Sequence, residues 1–313
     1  MAESPATLDS GVSAGGSIFA DNYNLLQAEV ARILGTGSGD RGYGQALSSS
    51  QVTANDIVQG VDGDLVTAAQ MDYLRSDIEK CWKHQVSTQF NLGEIDPGDW
   101  ITAGSASTSG AYNQYFSYVN SIINNRHLLA VGQYTDTLQQ NNSVPPNWTS
   151  QRSAEYTVDF GTAEAMRFFF NSGGQIQFTW STGSAGTGAS ASKNTSWANF
   201  LNTVPYTSTY ATYTNYTASW VAKINTGVGG TGVYAENKAI LYVRLIDSNT
   251  TIAYQWVLQD LDQGDDTTPN DGWNYKTDEP VTLPINCRLT TRTATGGWVS
   301  RTEPTASNTS PWS

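Results

Sequence analysis

Two hydrophobic periods divide the chain. In the first part, apolar side chains recur at three- and four-residue steps: Tyr23, Leu26, Val30, Ile33 and Leu34, then Met71, Leu74, Ile78, Cys81 and Trp82, then Tyr112, Tyr115, Val119, Ile122 and Ile123. That spacing puts each set on one helix face and predicts three amphipathic helices, a weak helical repeat. Thr67 and Gln70 have the Thr-x-x-Gln spacing of a capping box, which marks the second helix start. The run Gly35-Thr-Gly-Ser-Gly-Asp-Arg-Gly-Tyr-Gly-Gln45 follows the first helix. It lacks the Gly-Lys-Ser/Thr ending of a phosphate-cradling loop and does not lead from a strand into a helix, so it reads as a connecting loop.

Gln139-Gln-Asn-Asn-Ser-Val-Pro-Pro146 reads as a linker. Beyond it the period becomes two. Ile176, Phe178 and Trp180 alternate with polar residues, and residues 239–246 read as a strand run. Ile252, Tyr254, Trp256 and Leu258 share one face of a strand, as do Val281, Leu283, Ile285, Cys287 and Leu289. Such alternation leaves one face buried and one wet, as in antiparallel sheets. Pro284 puts the last strand on an edge or at a bulge. Phe168, Phe169 and Phe170 predict a buried strand, Asn171-Ser-Gly173-Gly174 a turn, and Ile176 and Phe178 the returning strand of a β-hairpin.

The expected fold class is therefore α+β. A helical docking or oligomerisation region spans 1–140, an antiparallel β-sandwich 141–303, and a polar C-terminal tail 304–313. Tyr23, Leu26, Val30, Met71, Leu74 and Ile78 are the expected assembly surface. The hairpin through Phe168, Phe169, Phe170, Asn171, Gly173, Gly174, Ile176 and Phe178 is the expected sandwich core.

Composition narrows the function classes. Hydrophobic residues make up 38% of the 313 and charged ones only 14%, which argues against disorder. The 29 Gly, 16 Tyr and 10 Trp suit short strands, tight turns and aromatic interfaces. A net charge of −12 repels nucleic acid and anionic membranes. No apolar run approaches the roughly 20 residues that span a bilayer, and the N-terminal residues lack the basic and apolar regions of a secretory signal. Synthesis in a cytoplasm, without membrane insertion, is the expectation.

Little in the sequence supports catalysis. His84 and His127 have no partners at metal-ligand spacing and read as capping or solvated groups near helix ends. Cys81 and Cys287 read as small buried hydrophobes. Asp260, Asp262, Asp265 and Asp266 are candidate Ca²⁺ ligands, although Gly264 stands where an EF-hand loop needs a ligand; a solvated loop is the alternative. Asp260 with Glu279, or Asp159 with Glu164, could be nominated as a glycosidase pair, but nothing singles them out. No cofactor is expected. Trp148, Trp180, Trp197, Trp220, Trp273 and Trp298 are either core residues or a platform on which sugars stack.

The run Phe168-Phe-Phe-Asn-Ser-Gly-Gly-Gln-Ile176 resembles the FFN(S/A)GG-x-I signature of virion structural proteins of tailed bacteriophages, notably T4-like phages of cyanobacteria and other aquatic hosts. The resemblance extends forward to Trp197 and Phe200 and on to Asp260 and Asp266. It extends back through Gly35-Thr-Gly-Ser-Gly39, Gly42-Tyr-Gly-Gln45 and Val66-Thr-Ala-Ala69, covering most of 15–290. Phe19 is a departure, since the second repeat has the capping Thr67 at the comparable position. The resemblance implies a non-enzymatic component of the tail, neck, baseplate or fibre apparatus, resident in the virion and carrying no catalytic residues. It also implies a homo-oligomer, such as a trimer or hexamer, bound to other virion proteins. The alternatives are a fibre module binding a host-surface glycan, a capsid decoration protein and a polysaccharide-degrading enzyme.

Overall fold

A computed structural model describes residues 20–39, 41–52, 66–97, 99, 102–188, 190–227, 233–262, 265–267 and 275–313. The chain forms two compact units that alternate along the sequence. One comprises residues 1–135, 167–174 and 293–302, and the other 136–166, 175–292 and 303–313. Helices lie in the N-terminal part and antiparallel sheets in the C-terminal part, an α+β class.

In the first unit, helices α1 (Ala20–Leu34), α2 (Ala68–Gln85) and α3 (Tyr112–Asn124) pack against one another pairwise. Each has one apolar stripe, and the three stripes close on each other into a single core. Thr67 caps α2 reciprocally with Gln70, the Thr67 N–H donating to Gln70 Oε1 at 2.7 Å. The helices are where the periodicity places them, but their role differs from the expected one. Tyr23, Leu26, Val30, Met71, Leu74 and Ile78 are all buried within this unit and are not available to a partner.

In the second unit, two sheets face each other. One has the order β1 (Tyr134–Val144), β10 (Ile285–Ala294), β3 (Gln175–Thr182), β4 (Tyr206–Ser208). The other has the order β11 (Thr305–Ser310), β2 (Gln151–Asp159), β7 (Thr251–Gln259), β6 (Lys238–Ile246), β5 (Val221–Gly227). A short hairpin, β8 (Asp265–Thr267) with β9 (Tyr275–Thr277), follows β7. Phe178 of β3 reaches across to Tyr156, Tyr254 and Trp256, with ring centroids 5.5, 5.0 and 6.0 Å away. Trp180 meets Trp256 at 4.9 Å. Period-two alternation thus yields a sandwich with an aromatic centre.

Three expectations are corrected. Phe168, Phe169 and Phe170 lie on helix α4 (Ala163–Asn171), not on a strand. Thr162 caps its first turn, Oγ1 accepting from Ala165 N at 3.0 Å, and Ala163, Glu164, Ala165 and Met166 favour helix. Gly173, at φ +84°, then ends that helix rather than turning a hairpin, and Gly174 N donates to Phe169 O at 2.9 Å. The supposed linker belongs largely to β1, an edge strand whose polar side chains need no apolar face. The supposed tail carries β11, which pairs with β2 from Thr305↔Asp159 onward, and the buried Trp312 packs 6.1 Å from Trp180.

The sheet edges are blunted. Edge strand β5 carries a register shift between Ala222 and Ile224, with Lys223 at the irregularity. Between edges β1 and β11, side-chain amides take the place of a ladder: Gln140 Nε2 donates to Ala306 O at 2.9 Å, and Gln139 Nε2 to Glu303 Oε1 at 3.0 Å.

Candidate functional site

Helix α5 (Ala191–Leu201) presents Lys193, Asn194, Trp197, Phe200 and Leu201 to the interior of the second unit. Lys193 is the sole basic residue between Arg167 and Lys223, and its ammonium is fully buried. Its Nζ lies 3.0 Å from Asp260 Oδ2, 3.0 Å from Asp262 Oδ1 and 2.5 Å from Asp278 Oδ1. Asp260 and Asp262 are likewise fully buried, while Asp278 is 30% exposed. Three N–H donors meet three carboxylates, which is the full donor capacity of an ammonium.

The scaffold around this cluster is hydrogen-bonded in detail. Asn237 Nδ2 donates to Asp262 Oδ2 at 2.8 Å, and its Oδ1 accepts from Leu261 N at 2.6 Å and Asp262 N at 3.0 Å. Asp260 N donates to Ser150 O at 2.6 Å where the chain leaves β7. Next to Lys193, Asn194 Oδ1 accepts from Thr282 N and Leu283 N, at 3.0 and 3.1 Å. One turn of α5 therefore holds both the exit of β7 and the approach to β10.

The electrostatics are asymmetric. Burial, reinforced by the contact with Asp262, pushes the Asp260 carboxyl up to about 7 against the pull of Lys193. Burial also acts to raise Asp262, but hydrogen bonds with Asp260, Asn237 and Lys193 outweigh it and hold that carboxyl below its ordinary range. Burial would lower Lys193, and the three carboxylates more than reverse this. Asp260 Oδ1 is buried and meets no donor. Of the two carboxyls, Asp260 is the one that takes a proton more readily.

The Ca²⁺ expectation is thereby reshaped. Asp260 and Asp262 do come together, joined by Asp278, and their oxygens lie within 4.8 Å of one another. The central position that a cation would take is held by Lys193 Nζ. Asp265 and Asp266 fall on β8, where the side chains lie outside the described residues. Lys193 and Asp278 were not picked out from sequence. The available signal was a lone lysine four residues before Trp197, on a helix face that is otherwise apolar apart from Asn194.

The Phe-Phe-Phe-Asn-Ser-Gly-Gly run has a defined structural task in the first unit. Asn171 Nδ2 donates to Arg41 O at 2.8 Å and Gly42 O at 3.3 Å. Arg167 reaches the same loop, donating to Arg41 O at 2.5 Å and Thr36 O at 2.6 Å. Gly44, at φ +63°, lies so close to Phe168 that a Cβ there would stand 2.6 Å from the ring. The glycine-rich run and the Phe-Phe-Phe-Asn-Ser-Gly-Gly run are thus two halves of one clamp. Nearby, the buried Asp77 accepts from Ser48 N, Ser49 N and Ser49 Oγ at 2.8–3.0 Å and pairs with Lys80 at 2.8 Å.

Other candidates fall away from any shared site. His84 is fully buried, not solvated: its Nε2 lies 2.9 Å from Ser172 O, and burial lowers it to about 4. Cys81 and Cys287 are free buried thiols, as expected, and burial pushes Cys287 up to about 12. Glu279 is buried, whereas Asp159 is an exposed strand-end group accepting from Gly161 N at 2.8 Å. Trp148, Trp180 and Trp197 are buried, Trp220 lies under the Arg244 guanidinium, Trp298 is exposed in the other unit, and Trp273 lies outside the described residues. No row of outward-facing rings results among the described tryptophans. No described helix is long and apolar enough to cross a membrane. Set against known protein families, curated proteins and solved structures, the chain significantly matches none.

Proposed function

We propose that the protein is a non-enzymatic structural component of a tailed-phage virion, in the tail, neck, baseplate or fibre apparatus, acting through protein–protein assembly. The observation that carries this reading is where the chain spends its polar chemistry. Lys193 with its aspartates, Asp77 with the Ser48–Ser49 backbone, and Asn171 with the glycine loop are all internal braces. They fix loops onto helices, the requirement of a building block that must keep one shape.

The contact surface on this reading lies on loops. In the first unit Leu128 is 50% exposed, Val131 79% and Trp298 38%. The turn bearing Val131 is tied to the loop before Trp298, because Thr295 N and Gly296 N both donate to Gln133 O, at 3.0 and 3.1 Å. Exposed apolar groups on a pinned framework suit a docking role. The likeness of the clamp residues to the phage signature supports the same class.

The experiment is to image tailed particles carrying a gold-labelled copy, alongside light scattering of the purified chain. Label at one fixed position on the tail or neck, with a closed oligomer such as a trimer or hexamer in solution, is expected. Particles that assemble fully and infect normally without the protein would overturn the reading.

A further inference from the structure

We propose that Lys193 and Asp260 become joined by a side-chain amide, an intramolecular isopeptide bond that the folded chain forms by itself, with Asp262 as proton relay. The inference stands on the cluster's geometry and is independent of the function proposed above.

Three groups are needed for an amine and a carboxylic acid to condense: a nucleophilic nitrogen, a neutral carboxyl and a base between them. All three meet here. Nζ is 3.0 Å from Asp260 Oδ2, and a nitrogen hydrogen-bonded at that distance stands about 3.3–3.9 Å from the carboxyl carbon, a short shift from the roughly 3–3.5 Å of a near-attack conformer. Asp260 is fully buried and its Oδ1 has no hydrogen-bond partner, so a negative charge on that oxygen is left uncompensated and the neutral acid is favoured. The elevation of Asp260 to about 7 agrees with its being the neutral partner. Asp262 touches the amine at 3.0 Å and is aimed by Asn237. Asp278 holds the amine at 2.5 Å but is partly in water, which competes at its carboxyl, so it positions and does not react.

The step balances. The Lys193 ammonium first passes a proton to Asp262, an uphill transfer because the carboxylates raise Lys193 and Asp262 is held low, which makes the condensation slow; the freed Nζ lone pair then attacks Cγ of protonated Asp260. Asp262 returns its proton to the departing hydroxyl and takes up the second proton released by nitrogen. The products are a secondary amide, one water and a neutral Asp262. A buried cation and a buried anion both disappear, which a low-dielectric interior favours. No oxidant, metal or cofactor takes part. The product ties α5 to the end of β7 across 67 positions of chain and so restricts unfolding of the unit.

Intact-mass spectrometry of the folded, full-length protein tests the proposal. The expected mass is that of the sequence less one water, with a cross-linked peptide containing Lys193 and Asp260 and no tryptic cleavage at Lys193. Lys193→Arg, which keeps the charge, and Asp262→Asn, which removes the relay, should both show the full mass. The wild-type result is decisive even where a variant fails to fold. The proposal is overturned by full mass in the wild-type protein, or by a water loss that persists in Lys193→Arg. It is equally overturned by a loss with Lys193 still cleavable, the mark of an aspartyl succinimide, or by a bond to a different aspartate.

Discussion

Phe178→Ala should remove the keystone of the sandwich. The ring is fully buried and meets three aromatic rings of the facing sheet, Tyr156, Tyr254 and Trp256, at 5.0–6.0 Å. Truncating a buried phenylalanine costs about 3–5 kcal/mol, combining lost transfer energy with a residual cavity. Three edge or tilted ring contacts, each worth about 0.5–1.5 kcal/mol beyond area in favourable cases, place this site toward the upper end. Urea unfolding is followed by tryptophan fluorescence, to which the buried Trp148, Trp180, Trp197 and Trp256 of this unit contribute. With a slope of about 2–3 kcal/mol per molar, the midpoint should fall by roughly 1–2.5 M. The neighbouring Thr179 is exposed on the opposite face of β3, so Thr179→Ala should change stability by less than about 0.5 kcal/mol. A loss below about 1 kcal/mol at Phe178, or an equal loss at Thr179, would refute the assignment of the inner face.

Three further outcomes follow from the first unit. Asn171→Ala leaves the Arg41 and Gly42 carbonyls without that donor and should cost about 1–3 kcal/mol, with faster proteolysis within residues 35–45. Asp77→Ala strands the Ser48 and Ser49 donors and should lower the thermal midpoint, whereas Glu79→Ala on the same helix should not. His84 is held neutral by burial, at about 4 in the folded state against 6.5 when exposed, so the unfolded chain binds more protons between those values. Stability present above pH 6.5 should therefore be lost as pH falls toward 4, by up to about 3 kcal/mol, and His84→Gln should flatten that limb in acid titrations.

The helices were legible because amphipathic spacing depends only on neighbours within a turn or two. What those stripes touch was not, since periodicity is the same for an internal seam and an intermolecular one. Tyr23, Leu26 and Met71 illustrate the difference. The three phenylalanines misled because aromatic runs favour strands locally; the helix is decided by Thr162 and the Ala-Glu-Ala-Met stretch before them. Strand β11 escaped notice because Thr-Ala-Ser-Asn-Thr-Ser has almost no apolar alternation, its anchor being Trp312 beyond the strand. The lysine–aspartate cluster was half visible. Asp260 and Asp262 are two positions apart in sequence, but Lys193 lies 67 positions from one and 85 from Asp278, and no local pattern links such distant positions.

On the proposed function the protein is a fixed building block of a tailed particle. Quantitative mass spectrometry of purified, DNA-filled tailed particles tests this most directly. A constant number of copies per particle, a multiple of three or six that survives high-salt washing, is the predicted result. Absence from intact particles, with the protein abundant in the infected-cell extract, would contradict it.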